Sequence, residues 1–312
     1  MKVLFVLMAV VLMACNQYRD KNYKIVYNVG YDLENDNYEV FIMDMDGSNK
    51  KNLSKWKGVD WCYYTYKDKI YFISDRDTTH RMYFLYEMDM NGENIKKVSD
   101  IRLADSWMSS RNSGMEMIIR PHASLDSVFY IISTENGQLV KKVETGLTYN
   151  TDPYFSEDGQ KVVFRGALKK SKRDSGFVDE LYIINSDGSG LKQLTHYPES
   201  DTSAEWWAYK SGPPEWNYTE NFITYQSKQQ GKYSLYAVTP DGSKHWKLTD
   251  NSMEEGWHNW STDGKWLTIE LFDPEQTQFH IGLMNWQTKE MKVLTDTTYK
   301  YQQAPCFVEI SS

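Results

Sequence analysis

Acidic residues and indoles recur together along this chain of 312 residues: Asp60-Trp61, Asp105 with Trp107, Asp152, Glu205-Trp206 and Gly256-Trp257-His258. A carboxylate beside an indole suits a cation, the ammonium or guanidinium of a partner, or a sugar stacked on the ring. The same residue types also serve structure, because indoles pack between sheets and Asp accepts backbone hydrogen bonds in turns. His196 and His258 fall near these clusters, and Asp152 or Glu205 would complete a mixed nitrogen and oxygen set for a transition metal. The common catalytic patterns are missing: there is no G-x-S-x-G, no H-E-x-x-H, no paired C-x-x-C and no P-loop. Asp44-x-Asp46-Gly47 begins like a calcium loop, but Lys55 stands where a closing carboxylate is required. These absences favour binding over catalysis and give no reason to expect a cofactor.

The recurrence of the clusters implies a repeated element that positions them. From Asp152 to Thr195 the chain shows four short strand-like runs, with hairpin turns at Asp158-Gly159 and Asp187-Gly188. A second-turn Gly is followed six residues later by an apolar residue in five copies: Gly47 to Leu53, Gly92 to Val98, Gly137 to Val143, Gly188 to Leu194 and Gly242 to Leu248. Counting back from Leu294 puts Thr288 at the sixth turn, without Gly. Just before the turns stand Phe41, Tyr86, Tyr182 and Tyr236, with Ile131 in the third copy, where one sheet would pack on the next. A period of about 45 to 55 residues with four strands per copy predicts the blades of a propeller.

Six blades use the chain. Blade two is expected over 60–99, three over 105–144, four over 152–195, five over about 204–249 and six over 257–295. YKIVYNV at 23–29 matches second strands elsewhere, so blade one lacks its first strand, and QAPCFVEI at 303–310 supplies it. The fold class is therefore all-β, a six-bladed β-propeller of four antiparallel strands per blade, closed by N- and C-terminal strands in one blade. SEDGQKVVF and STDGKWLTI, followed by DGSGLKQLT and DGSKHWKLT, resemble the repeats of TolB-like six-bladed β-propellers. That resemblance covers nearly the whole chain from residue 23 to 312 and includes no counterpart of the N-terminal α/β domain of TolB itself. It implies a non-catalytic binding or scaffold protein of the cell envelope. The oligogalacturonate lyases, propellers of the same broad type, use a His-ligated metal at the channel. They supply the alternative, a glycan-binding or glycan-cleaving protein with His196 and His258 as ligands.

In such a propeller the tight turns, between first and second and between third and fourth strands, share one face. The longer connections share the other, and loops of variable length are where binding usually resides. The clusters precede the innermost strands on that second face, so Asp60, Asp105, Asp152, Trp107, Trp206, Trp257 and His258 are expected to ring the channel mouth and bind a protein or small ligand. Changing the three Asp residues to Asn is expected to weaken a basic ligand without disturbing the fold. Lys169, Lys170, Lys172 and Arg173 tip a loop on the same face, either as a solvated hairpin or as a docking point for an acidic partner. The segment from Ala208 to Glu220 is expected to be a surface loop on the opposite face.

Residues 1–14 read as a signal peptide whose apolar run, Val3 to Ala14, is too short to span a bilayer. Leu12-Met13-Ala14-Cys15 resembles a bacterial lipobox, which makes Cys15 the lipidation site and residues 15–22 a polar tether. The membrane is then engaged through the lipid anchor only. Asp20 is the one acid among residues 16–22, which favours an outer-membrane position facing the periplasm over the cell surface. The net charge of −8 argues against nucleic acid as a partner, and the chain is expected to be a monomer. Cys62 and Cys306 align with Tyr154 on innermost strands of adjacent blades, where a disulfide would lock the closing blade if the Cα atoms came within about 7 Å.

Overall fold

The computed structural model describes residues 22–169 and 177–310. Cys15, the signal and most of the tether lie outside these residues, as do Lys170, Lys172 and Arg173. Six four-stranded antiparallel sheets make up the ring. Blade one holds β1 (Tyr23–Asp32), β2 (Asn37–Asp44) and β3 (Lys51–Asn52). Blade two runs through β4 (Asp60–Tyr66), β5 (Lys69–Ser74), β6 (Phe84–Asp89) and β7 (Lys96–Lys97). Blade three has β8 (Ser109–Arg111), β9 (Glu116–Ile119), β10 (Phe129–Ser133) and β11 (Leu139–Val143). Blade four has β12 (Tyr149–Phe155), β13 (Lys161–Ala167), β14 (Glu180–Asn185) and β15 (Lys192–Gln193). Blade five contains β16 (Glu215–Asn217), β17 (Phe222–Gln229), β18 (Lys232–Val238) and β19 (His245–Lys247). Blade six contains β20 (Glu254–Trp260), β21 (Trp266–Phe272), β22 (Phe279–Asn285) and β23 (Met291–Val293). Finally β24 (Gln302–Glu309) pairs with β1, Tyr23 opposite Glu309, and becomes the innermost strand of blade one. The ring closes as the matching end segments require.

The recurring turn Gly has two physical reasons. Gly47 sits at φ 87°, and a side chain there would meet the Leu294 carbonyl oxygen of blade six at 2.7 Å. Gly92, at φ 81°, lies as closely on Leu53 of blade one. Each such turn is thus the place where one blade's third-to-fourth connection lies on the preceding blade's outer strand. The Ser or Thr that follows the apolar residue is equally determined. Hydroxyls of Ser54, Thr195 and Thr295 accept the N–H of Val40, Leu181 and Ile281 at 2.8–2.9 Å. Phe41 packs against Ile281, Leu283 and Leu294, and Tyr182 against Phe129 and Ile131, so the core lies between blades. Fully burying one such side chain contributes about 1.5–3 kcal/mol.

Two expectations about innermost strands are corrected. β4, β12, β20 and β24 share a bulge, at Cys62/Tyr64, Thr151/Tyr154, Glu255/His258 and opposite Val26/Asn28. Because of it, Asp60 opposite Ser74 corresponds to Asn150 opposite Gly166 and to Glu255 opposite Leu271, while Asp152 lies within the bulge at φ 56°. The acids therefore do not share one repeat position. Tyr64, not Cys62, is the counterpart of Tyr154. The second correction concerns Ala208 to Glu220, which is no surface loop. Gly212 N–H donates to the Gln226 carbonyl at 2.8 Å, Lys228 N–H donates to Tyr209, and β16 continues the pairing with β17. The segment is the innermost strand of blade five, interrupted where Pro213 and Pro214 supply no N–H.

Cys62 and Cys306 are both free and buried in one apolar cluster between blades one and two. A hydrogen bond with Cys62, together with burial, pushes the Cys306 thiol well above its ordinary pKa.

Candidate functional site

The central channel has two ends of different construction. At the loop face, Trp61, Tyr63, Trp107 and Trp257 converge. Tyr63 and Trp107 have ring centroids 4.5 Å apart, Trp107 and Trp257 are at 4.9 Å, and Trp61 meets Trp257 edge-on at 6.0 Å. Trp107 is 7% exposed. The indoles expected to line a mouth form a plug in it.

The acids beneath and around the plug are committed to protein partners. Asp60 is fully buried and accepts from Arg76, and burial raises its pKa to about 6. Asp152 accepts from Ser106 Oγ and Trp107 N–H, both at 3.2 Å, and from Arg165 Nε at 3.0 Å. Arg165 also reaches Asp179 at 3.1 Å, so the cation is clasped between two carboxylates. Asp105 alone keeps an open edge in the concave mouth, where Tyr63 OH donates to it and enclosure raises its carboxyl pKa. His258 is buried, 2.7 Å from Thr224 Oγ1, and burial lowers its pKa to about 4, which leaves a neutral ring.

Trp206 does not join the plug. It is half exposed beside the β17–β18 hairpin, where Glu205 pairs with Lys228 at 2.8 Å. His196 is exposed. Among the described residues, no three His, Cys, Asp or Glu side chains form a group that could hold a metal ion, so His196, His258, Asp152 and Glu205 are not assembled as one site.

At the turn face the channel is open. A cavity of about 330 Å³ is lined by residues of all six blades, among them Phe307, Tyr64, Ser110, Tyr154, Tyr218 and Asn259. Tyr64 OH lies 2.9 Å from Ser110 Oγ, and Tyr218 OH donates to the Phe155 carbonyl at 2.9 Å. Behind this lining sits Glu215 on β16, which accepts from Asn259 Nδ2 at 3.2 Å and is hydrogen-bonded to Tyr154. Burial raises the Glu215 pKa to about 8, and burial raises Tyr64 to about 12. At neutral pH the inner wall is hence a set of uncharged hydroxyl, amide and carboxylic acid groups. Charges stand at the rim, on Lys67, Arg111, Glu157 and Glu309. Such a lining can donate and accept hydrogen bonds to an uncharged polar ligand and offers aromatic faces for stacking.

These residues are hydroxyls at the far ends of the innermost strands and so escape a search for acids before those strands. Tyr64 and Tyr154, at one register position of β4 and β12, were the available signal.

A family model described as the TolB beta propeller domain matches residues 66–308. The crystal structure of TolB from Acinetobacter baumannii superposes with a TM-score of 0.68 at 14% identity, over 92% of this chain and 66% of that one. Oligogalacturonate lyase from Vibrio parahaemolyticus gives 0.52 at 11% identity, over 84% of this chain and 72% of that one. At these identities the likeness concerns the fold. Dipeptidyl-peptidase 5 of Porphyromonas endodontalis is 27% identical over 149 residues, which is 47% of this chain. The chain spans 20% of that relative's length.

Proposed function

This chain belongs to the TolB β-propeller domain family, and on that premise we propose that it is a non-catalytic binding module of the bacterial cell envelope. It is held by lipid at Cys15 on the outer membrane, facing the periplasm, and its ligand enters the channel from the turn face. The observation that carries this reading is the cavity to which all six blades contribute. Its volume of about 330 Å³ is at the small end of ligand sites, and its neutral inner wall favours an uncharged, hydroxyl- or amide-bearing group: a sugar, or a peptide segment presented by an envelope protein. Asp60, Asp152, Trp107, Trp257 and His258 act in this reading as the packed base of the channel, not as ligand contacts.

The test is a pull-down of the full-length acylated protein from detergent-solubilised envelopes, run beside an oligosaccharide array. The Tyr154→Phe/Tyr218→Phe double variant should lose the bound species, and Trp206→Ala should keep it. Retention by the tyrosine variant would remove the cavity from the proposal. Loss in Trp206→Ala alone would return the site to the loop face.

A further inference from the structure

We propose that Arg102, Arg120 and His122 form a second binding site, on the loop face of blade three, for free phosphate or a small phosphate monoester. It is separate from the channel cavity and does not depend on what that cavity holds.

The backbone brings the three side chains together. The connection from β7 to β8 meets the connection from β9 to β10 in a short antiparallel bridge between Leu103 and Pro121. His122 N–H donates to the Arg102 carbonyl at 2.9 Å, and Ala104 N–H donates to that of Arg120 at 3.0 Å. Side chains alternate across such a ladder, so Leu103 and Pro121 are buried on one side while Arg102, Arg120 and His122 share the other. Burial, and next the charges of Arg102 and Arg120, hold the His122 pKa below its ordinary value, as this proximity requires.

Nothing neutralises the two guanidiniums. Elsewhere among the described residues the arginines are ion-paired: Arg76 with Asp60, Arg81 with Asp36, Arg111 with Glu116 and Arg165 with Asp152. Acids are abundant in a chain of net charge −8, yet among the described residues Arg102 and Arg120 have no carboxylate at ion-pair distance. The acids of the same segments are engaged elsewhere: Asp100 with Lys97 and Asp126 with Lys142, both at 2.6 Å, and Asp105 with Tyr63 OH. Asp105 acts on Arg120 through space without pairing with it. Arg120 lies over the Tyr149 ring at 5.7 Å, which uses a face of the guanidinium and none of its N–H groups. Arg102 Nε is shut off from water and has no acceptor, a costly state for a charged donor. An oxygen held between the two guanidiniums supplies that acceptor once the Arg102 side chain turns about its last torsions.

The donors define the ligand. Two arginines present two positive charges, and His122 Nδ1 accepts the Ser124 N–H at 3.2 Å, which puts the ring proton on Nε2 as a further donor. A phosphate monoester carries a charge of about −1.5 to −2 and three strong acceptor oxygens. One carboxylate would leave a cation unmatched.

The test is a calorimetric titration of the full chain with inorganic phosphate, glycerol phosphate and acetate at low ionic strength. Saturable phosphate binding in the millimolar range or tighter is expected, with acetate about tenfold weaker because it carries half the charge. Equal affinity for the two phosphates assigns the site to the free ion, and tighter binding of glycerol phosphate assigns it to an ester. Arg120→Gln should weaken binding about tenfold, the worth of one charge-assisted hydrogen bond. Lys244→Gln removes the same charge on the turn face and should leave binding unchanged. Arg102→Lys keeps the charge but loses the planar fork, and should weaken binding about fivefold in a protein whose thermal midpoint matches the parent. No saturable phosphate binding, acetate as tight as phosphate, full affinity in Arg120→Gln and Arg102→Lys, or an equal loss in Lys244→Gln would overturn the proposal.

Discussion

The two ends of the channel are made of the same six-strand inner wall and do opposite things with it. At the loop face, large rings and buried ion pairs fill the axis, and Asp60 and Asp152 are closed off while Asp105 keeps an exposed edge. At the turn face, hydroxyls and an amide surround open space, the buried acid behind them, Glu215, is uncharged, and Glu157 and Glu309 stay at the rim. The difference teaches that aromatic and acidic residues gathered on a symmetry axis are as apt to seal it as to serve a ligand. What separates the cases is whether the side chains meet across the axis, as Trp107 and Trp257 do, or leave space between them.

The comparison can be broken from the sealed end first. Asp152→Asn should destabilise the fold by about 3–5 kcal/mol, because it removes one carboxylate from the buried Arg165. The sequence-based expectation that such a change spares the fold is reversed by this geometry. Trp107→Ala should cost a similar amount, about 3–5 kcal/mol, by opening the plug. Chemical denaturation measures both, and a loss below about 1 kcal/mol would mean that the loop-face end is not a packed base.

At the open end, effects on stability should be smaller and should depend on pH. Glu215 has a folded pKa of about 8 against an ordinary value of 4.5, so the folded state holds a proton that the unfolded state releases between those values. Stability is greatest below pH 4.5 for this group and falls as pH rises through 8, by up to about 1.4 kcal/mol per pH unit. Glu215→Gln should flatten that slope, as read from urea midpoints between pH 5 and 8. Glu270, also held at about 8 by burial, sits behind Ala304 and should contribute a second, separable slope. Tyr154→Phe should cost about 1 kcal/mol, the net worth of one hydrogen bond, while abolishing ligand capture. The smallest effect is expected from Trp206→Ala, within about 0.5 kcal/mol of the parent, with capture unchanged.

How much was legible follows the reach of each signal. The spacing from the turn Gly to the apolar residue was readable because both ends of it touch a neighbouring blade. Gly47 has no room for a side chain beside Leu294, and Thr195 is held by the backbone of Leu181. Closure by β24 was readable because its residues had to match strands elsewhere. The bulge was not readable, since it changes which residues face each other without changing residue types. It moved Asp152 away from the position of Asp60, and Tyr64 into that of Tyr154. The Pro-interrupted start of blade five hid an innermost strand as a loop. The cavity was invisible for a different reason: no blade contains it, and it exists only where six strand ends meet.

Closure by two chain ends also has a mechanical side. β1 is an interior strand, bonded to β24 along one edge and to β2 along the other. A pull on the amino-terminal end runs along β1 and loads both rows of hydrogen bonds in shear, whereas an edge strand would peel one bond at a time. The blade that carries the seam is thereby the one built to bear load from the amino-terminal end, and the ring can be dragged by that end without being unzipped.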